Sequence, residues 1–336
     1  MGPKSAGADP GPACYGRGGL EPTVTDANLL LNRLSPDTLS AGGLRLDPNL
    51  SREAVLRVSR EFPSLDEVRA ADGIVRIAVA RMVSAVKAIT VGKGLDPREF
   101  TLLAYGGAGP MHAAFIAEEL AIGRILIPLA PGNFSALGLL LADHRRNLVR
   151  TRIHPTRETS LSLVREALQE MENEGRRQVG EWGGVEPQEV TFDRWLGVRY
   201  VGQWYEIDVP FDPTWEKPAE MERDFHRLHL ERYGHCDEAE ETEMVNYRVS
   251  AYGPLPKPNL LPPTGRAAPR PFTRKEVWFG GQFVRTSIFR REDLGVSARV
   301  SGPAIVEEEG STTVLTPGWS ANVDHLGNLV LKRIRK

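Results

Sequence analysis

Cysteine is scarce in this sequence, with two residues, Cys14 and Cys236, among 336. Two cysteines cannot form a disulfide framework, and their scarcity favours a reducing compartment. Neither sign of charge is in excess, since the formal net charge is -2, and nucleic acid or an anionic membrane is not expected as a partner. No apolar run approaches the ~20 residues of a membrane-spanning helix, and the N-terminus lacks a signal-peptide core. We therefore expect a cytoplasmic protein.

The composition of the chain is that of an ordinary globular protein. Hydrophobic residues make up 41% and charged residues 26% of the sequence. The length is sufficient for two or three domains with cores of their own.

The most informative stretch is Tyr105-Gly106-Gly107-Ala108-Gly109-Pro110. An apolar run over residues 100–105 predicts a buried strand before it, and Pro110 is suited to the first turn of a helix. Met111 and Phe115 continue that helix at helical spacing. A glycine turn between a strand and a helix lets a ligand approach the backbone and directs unpaired N–H groups at an anion. The geometry suits a nucleotide, although glycine turns that serve only close packing are common.

A dinucleotide-binding fingerprint fits this stretch poorly. Gly107 and Gly109 supply its first two glycines, but His112 stands in the third position. Residues 129–132, about 20 positions further on, include no acidic side chain that could bind a ribose.

The first nineteen residues are rich in glycine and proline, which is common in linkers. They also contain Asp9, Tyr15 and Arg17 and have no repeat. We interpret them as an ordered functional loop. Asp26 follows shortly after, and its capping of a helix is favoured over metal or phosphate binding.

A cluster of metal-ligating residue types raises the question of zinc. Its members are His226, His229, His235 and Cys236, but their spacing matches no standard zinc pattern and only one thiolate is available. We therefore expect structural roles and no metal site. The spacing assigns no catalytic set either, and Cys14 is interpreted as a packing residue and not as a nucleophile.

The chain divides into four parts by pattern. Residues 1–150 repeat strand, glycine turn and helix, an α/β pattern. Residues 151–253 contain a polar helix, a strand pair over 191–210 and a second helix, which predicts an α+β domain. Residues 254–271 form a proline-rich connector, and residues 272–336 contain five short strand signals that predict a β-rich unit.

Several stretches, in the same order along nearly the whole chain, together resemble one family. They include SAGADPGPACYGRGG, FTLLAYGGAGPMHAAFIAEEL, APGNFSALGLLLAD, VRYVGQWYEIDVP and GPAIVEEEGSTTVLTPGW. The chain resembles the A subunit of ATP-dependent hydantoinases, together with the related 5-oxoprolinases and the acetone carboxylase beta subunit.

The resemblance implies a fold and a ligand. Residues 1–150 would be the C-terminal lobe of an ATPase domain of the actin, Hsp70 and sugar-kinase type. ATP, with Mg²⁺, would drive the opening of a small cyclic amide or the activation of a ketone, usually together with a B subunit. Gly106, Gly107 and Gly109 match a turn that lies against adenosine in such folds, and Asp9 matches a loop near the nucleotide cleft.

Family members carry acidic phosphate loops of the type D-x-G-G-T-x-x-D before the SAGADPGP stretch, and this sequence contains none. Phosphoryl transfer depends on charges placed around the phosphates and the metal. We therefore expect an N-terminal ATPase half to be missing, by truncation or because it is a separate polypeptide. Two alternatives stay open, a non-catalytic binding or assembly module and the beta-type subunit of a ketone carboxylase.

Overall fold

The structure is a computed structural model that describes residues 5–37, 42–62, 64–259 and 263–334. The first four residues of the predicted N-terminal loop and residues 260–262 of the predicted connector lie outside this range. The chain forms two compact units, which we call unit 1 (Met1–Gly138 with Asn259–Lys336) and unit 2 (Leu139–Pro258).

The described residues form a mixed α/β fold with several sheets. The helices are α1 (Val24–Leu30), α2 (Pro48–Glu61), α3 (Glu67–Ile89), α4 (Gly109–Glu119), α5 (Phe134–Leu141), α6 (Leu161–Glu181) and α7 (Pro218–Tyr233). The strands are β1 (Leu102–Leu103), β2 (Arg124–Ile127), β3 (His144–Pro155), β4 (Thr191–Tyr200), β5 (Ile207–Pro210), β6 (Thr242–Gly253), β7 (Thr273–Phe279), β8 (Gln282–Arg290), β9 (Arg299–Ser301), β10 (Ala304–Glu308), β11 (Ser311–Leu315), β12 (Trp319–Val323) and β13 (Leu329–Arg333). Within the described ranges, no helix combines the length and the apolar character that a membrane crossing requires.

The described residues of unit 1 form two sheets. The five-stranded sheet has the order β1-β2-β13-β12-β9, and the four-stranded sheet has the order β11-β10-β8-β7. The pairs β1–β2 and β8–β10 are parallel, and the other pairs are antiparallel. Buried side chains of α3 and α4, such as Val75 and Ala114, share one core with Ile125 and Leu329 of the five-stranded sheet.

The C-terminal strands therefore complete the sheet that β1 and β2 begin, with Leu331 opposite Ile125. This grouping differs from the division predicted from sequence, in which residues 272–336 formed a unit of their own. Strand signals along a sequence cannot show which distant strand supplies the pairing partner. The four-part division itself stays a prediction.

Unit 2 is a four-stranded antiparallel sheet of order β3-β6-β4-β5 with α6 and α7 in its core. Leu168 of α6 and Phe225 of α7 belong to the same buried cluster as Val198 and Tyr200 of β4. The strand pair predicted over residues 191–210 is confirmed as β4 and β5. The chain turns between the two strands, after Tyr200, and Trp204 in this turn is 95% exposed.

A glycine in the middle of α6 permits the helix to approach this sheet closely. A methyl group built on Gly175 would lie 2.9 Å from Cβ of Ala251 and 3.0 Å from Cδ1 of Leu148. Among the described residues, no atom beyond the helix's own neighbouring backbone lies within 4 Å of the equivalent position on Gly180, near the end of the same helix. Close packing therefore requires glycine at position 175 but not at position 180.

We predict opposite effects of alanine at these two positions. Gly175→Ala should lower the free energy of unfolding by about 1–3 kcal/mol, because overpacking outweighs the gain in helix propensity. Gly180→Ala should raise it by up to about 1 kcal/mol. Urea unfolding of both variants measures this, and stabilisation by Gly175→Ala would show that the close helix–sheet contact is wrong.

Candidate functional site

Three loops of unit 1 meet beyond the carboxyl ends of the parallel strands β1 and β2. They are residues 104–109 after β1, residues 128–133 after β2, and residues 309–310 between β10 and β11. In parallel sheets, ligands bind at this edge, where the loops that follow the strands converge. We call this arrangement the three-loop turn.

Backbone groups hold the three-loop turn together. Gly106 has a φ of +82°, which favours glycine, and its N–H donates to the Pro131 carbonyl at 2.7 Å. A methyl group built on Gly107 would lie 3.1 Å from the Gly310 oxygen, and one on Gly132 would lie 2.9 Å from it. Two of the loops therefore approach Gly310 so closely that a side chain at Gly107 or Gly132 would displace Gly310.

A hydroxyl adds to these contacts. Ser311 Oγ donates to the carbonyl oxygens of Gly106 and Gly107, at 3.3 and 3.4 Å. Since Ser311 is buried at the start of β11, it anchors the glycine turn to the β10–β11 hairpin.

The outer side of the three-loop turn is open. Gly107 and Ala108 are exposed, and no side chain of the described residues caps the start of α4. The ring of Tyr105 is 48% exposed and lies 5.2 Å from the ring of Phe134, centroid to centroid. The open side thus offers backbone N–H groups and one aromatic face, which can hold a planar group and a polar one.

His112, in the first turn of α4, belongs to the core behind this surface. Burial, together with the charge of Arg33, lowers the pKa of His112 to about 4, so the ring is neutral at pH 7. Arg33 is buried as well, donates to the Trp278 carbonyl and pairs with Asp72 at 3.3 Å. His112 therefore supports the helix start and offers no charge to a ligand.

The structure brings together Gly106, Gly107 and Gly109 but not Asp9. Asp9 lies exposed in a turn, and within the described residues no hydrogen bond or ion pair joins it to the three-loop turn. Its predicted role near the nucleotide stays a prediction. Gly132 and Gly310 were not predicted as site residues, because only the three-dimensional pairing brings their loops to the turn.

Asp26 is fully buried and holds three segments in place. Its carboxylate accepts hydrogen bonds from the N–H groups of Ala13, Cys14 and Thr23 and from the hydroxyls of Thr23 and Ser51, at 2.7 to 3.2 Å. Asp26 was predicted to cap α1. The N-cap residue is Thr23, and Asp26 is the N3 residue, whose carboxylate completes the capping box. Burial alone would raise the pKa of Asp26, but these hydrogen bonds outweigh it and lower the pKa below its ordinary value.

We predict that Asp26→Asn lowers the free energy of unfolding at pH 7 by about 2–4 kcal/mol, because it removes acceptors from buried donors. A lowered folded-state pKa means that the advantage of the wild type is fully present above the unfolded pKa and is lost as the pH falls through the folded-state pKa. Urea titrations at about pH 7 and about pH 2 measure this difference. The exposed Glu53→Gln in α2 is the control, and a difference that persists at the lower pH would contradict the assignment.

Cys14 is buried, and its own N–H is one of the donors to Asp26. Burial and the neighbouring Asp26 raise the pKa of the Cys14 thiol to about 12. The thiol is protonated at neutral pH and is a poor nucleophile, as a packing role requires.

The histidines of α7 have protein partners. His226 Nδ1 lies 3.0 Å from the Tyr200 hydroxyl, and His229 Nδ1 lies 2.7 Å from the His235 carbonyl oxygen. In the part of the chain that the structure describes, no group of three or more His, Cys, Asp or Glu side chains is arranged to hold a metal ion.

Family models match both parts of the chain. The hydantoinase/oxoprolinase model matches residues 1–148, and the hydantoinase/oxoprolinase C-terminal domain matches residues 155–334, more than half of the chain. The chain belongs to the hydantoinase/oxoprolinase family. The resemblance recognised in the sequence is confirmed.

Relatives of this family cover almost the whole chain. An uncharacterized protein of Methanocaldococcus jannaschii is 38% identical over 335 residues, 99% of this chain and 48% of that protein. The caprolactamase subunit alpha of Pseudomonas jessenii is 31% identical over 336 residues, 96% of this chain and 48% of that protein. The chain thus spans about half the length of these curated relatives.

Two solved structures share the fold. The crystal structure of the ATP-dependent caprolactamase from Pseudomonas jessenii has a TM-score of 0.76 at 30% identity, over 99% of this chain and 50% of that chain. A nucleotide-free structure of acetone carboxylase has a TM-score of 0.80 at 22% identity, over 99% of this chain and 49% of that chain, and shows the fold alone.

Proposed function

We propose that this chain is the C-terminal portion of the A-type subunit of an ATP-dependent cyclic-amide hydrolase and that the three-loop turn forms the adenosine side of its nucleotide cleft. The observation that carries the proposal is an exposed glycine turn, fixed by Gly310, at the carboxyl ends of two parallel strands. The ATP dependence named for the caprolactamase structure supports it.

The residues present fit the nucleoside part of ATP. Gly106, Gly107 and Gly109 carry no side chain that would hold a purine away from the backbone, and Tyr105 provides a ring on which it can stack. The uncapped N–H groups of α4 provide polar contacts. When bound, ATP would supply the free energy for opening the amide ring.

The described residues do not form a magnesium site, because no carboxylate cluster among them fits a cation. We propose that the phosphate and metal contacts come from an N-terminal half. We also propose that the two halves together have the actin-like ATPase fold. A B-type subunit as partner is supported by the relatives that are named as subunits. A cytoplasmic location stays a prediction.

A second candidate is the corresponding subunit of an ATP-dependent ketone carboxylase. It is favoured by matches to an acetone carboxylase beta subunit at 26% identity and to an acetophenone carboxylase gamma subunit at 28% identity. Both candidates use the three-loop turn in the same way.

Tyr105 is the sharpest probe of the proposal, because a side chain at Gly107 would also disturb Gly310 and one at Gly106 would strain its positive φ. Tyr105→Ala should weaken ATP binding about tenfold, since it removes a stacking surface. Phe100→Ala is the matched control, because Phe100 is a similarly exposed aromatic residue of unit 1 outside the turn.

Calorimetric titration with ATP and with adenosine, on the chain assembled with its N-terminal half and B-type partner, measures both effects. If Tyr105→Ala weakens the binding of ATP and of adenosine by the same factor, the adenine base contacts Tyr105. Unchanged affinity in a folded Tyr105→Ala variant would contradict the adenosine assignment.

A further inference from the structure

Unit 2 exposes an aromatic surface at the end of its β4–β5 hairpin. The surface consists of Val201, Trp204 and Tyr205, in the loop between the two strands, and of Tyr233 at the end of α7, and we call it the Trp204 surface. Its members are 39% to 95% exposed, and the rings of Tyr205 and Tyr233 lie 6.0 Å apart, centroid to centroid. Tryptophan is largely buried in most folded proteins, so an indole that protrudes from a loop indicates a contact with another molecule.

Hydrogen bonds anchor the loop that carries this surface. The Val201 N–H donates to the Glu241 carbonyl at 2.9 Å. The Tyr200 hydroxyl, at the base of the loop, accepts from the Asp237 N–H at 2.8 Å and lies 3.0 Å from Nδ1 of His226. Because the loop is anchored before a partner arrives, less conformational entropy is lost on binding.

The segment to which the loop is anchored is acidic. Residues 237–241 carry four exposed carboxylates, those of Asp237, Glu238, Glu240 and Glu241. In the part of the chain that the structure describes, none of the four takes part in an ion pair. Arg232 adds a single positive charge beside the Tyr233 ring, 5.7 Å from its centroid. Negative charge is therefore in excess at the border of the Trp204 surface.

This charge restricts the occupant of the surface. Nucleic acid and an anionic membrane would be repelled by the acidic segment. A second copy of this chain that docked through the same surface would bring two acidic segments together, because a two-fold contact juxtaposes identical residues. A different protein with a basic rim has no such conflict. Its contact face would offer an apolar pocket to Trp204 and arginine or lysine side chains to residues 237–241.

We propose that the Trp204 surface docks a second polypeptide, with the indole of Trp204 in an apolar pocket and residues 237–241 against basic side chains. That this polypeptide is the B-type subunit rests on the proposed function. Tyr205 and Tyr233 then surround the buried indole, and the carboxylates accelerate association.

The test is biolayer interferometry, in which the immobilised B-type subunit is titrated with the chain assembled with its N-terminal half. Trp204→Ala should weaken binding at least about thirtyfold, as expected for a tryptophan at the centre of an interface. Trp182→Ala is the matched control, because Trp182 is a half-exposed tryptophan of unit 2 outside the surface, and it should bind like the wild type. Circular dichroism confirms that both variants are folded.

The acidic segment is tested by neutralisation. A variant with Glu238→Gln, Glu240→Gln and Glu241→Gln should lower the association rate constant about tenfold at low ionic strength and reduce its dependence on salt. The control changes the net charge equally at three exposed glutamates of unit 2 outside the segment, namely Glu158, Glu166 and Glu216. It should leave the association rate constant nearly unchanged.

Unchanged affinity of a folded Trp204→Ala variant would overturn the proposal, and so would equal effects of the two charge variants. Sedimentation without the B-type subunit tests the second copy as occupant, and self-association that Trp204→Ala abolishes would also overturn the proposal. If the wild type does not bind the B-type subunit, the proposed partner is wrong as well. If the wild type binds but the variants bind equally well, only the assignment of this surface fails.

Discussion

The close approach of the Gly310 carbonyl to Gly107 and Gly132 is the constraint on which the candidate site depends. Three loops from distant parts of the chain share this one oxygen, which leaves no room for a Cβ on Gly132 and little on Gly107. Close backbone contacts of this kind fix a turn without side chains, so the outer side stays open to a ligand. The hydroxyl of Ser311 fastens the same hairpin to the turn.

Local sequence patterns predicted the helices and the β4–β5 pair, because amphipathic spacing depends on neighbouring residues only. The buried strand predicted over residues 100–105 is confined to Leu102–Leu103, and Leu103 is exposed. The Ala104 N–H still donates to the Leu126 carbonyl, and the chain then bends at residues 106–108. Gly106, Gly107 and Gly109 were predicted as one site, whereas the contribution of Gly310 was not. Its contact depends on pairing between β13 and β2 and on the packing of two sheets, which a single sequence does not encode locally.

Hydrogen–deuterium exchange of the assembled enzyme, with and without ATP, tests the adenosine assignment. We expect slower exchange of the backbone N–H groups of residues 104–111 and 130–134 when ATP is bound, with unit 2 as the internal reference. Protection that is confined to the N-terminal half or to the partner subunit, with unchanged exchange at the three-loop turn, would contradict the claim that this chain forms the adenosine side of the cleft.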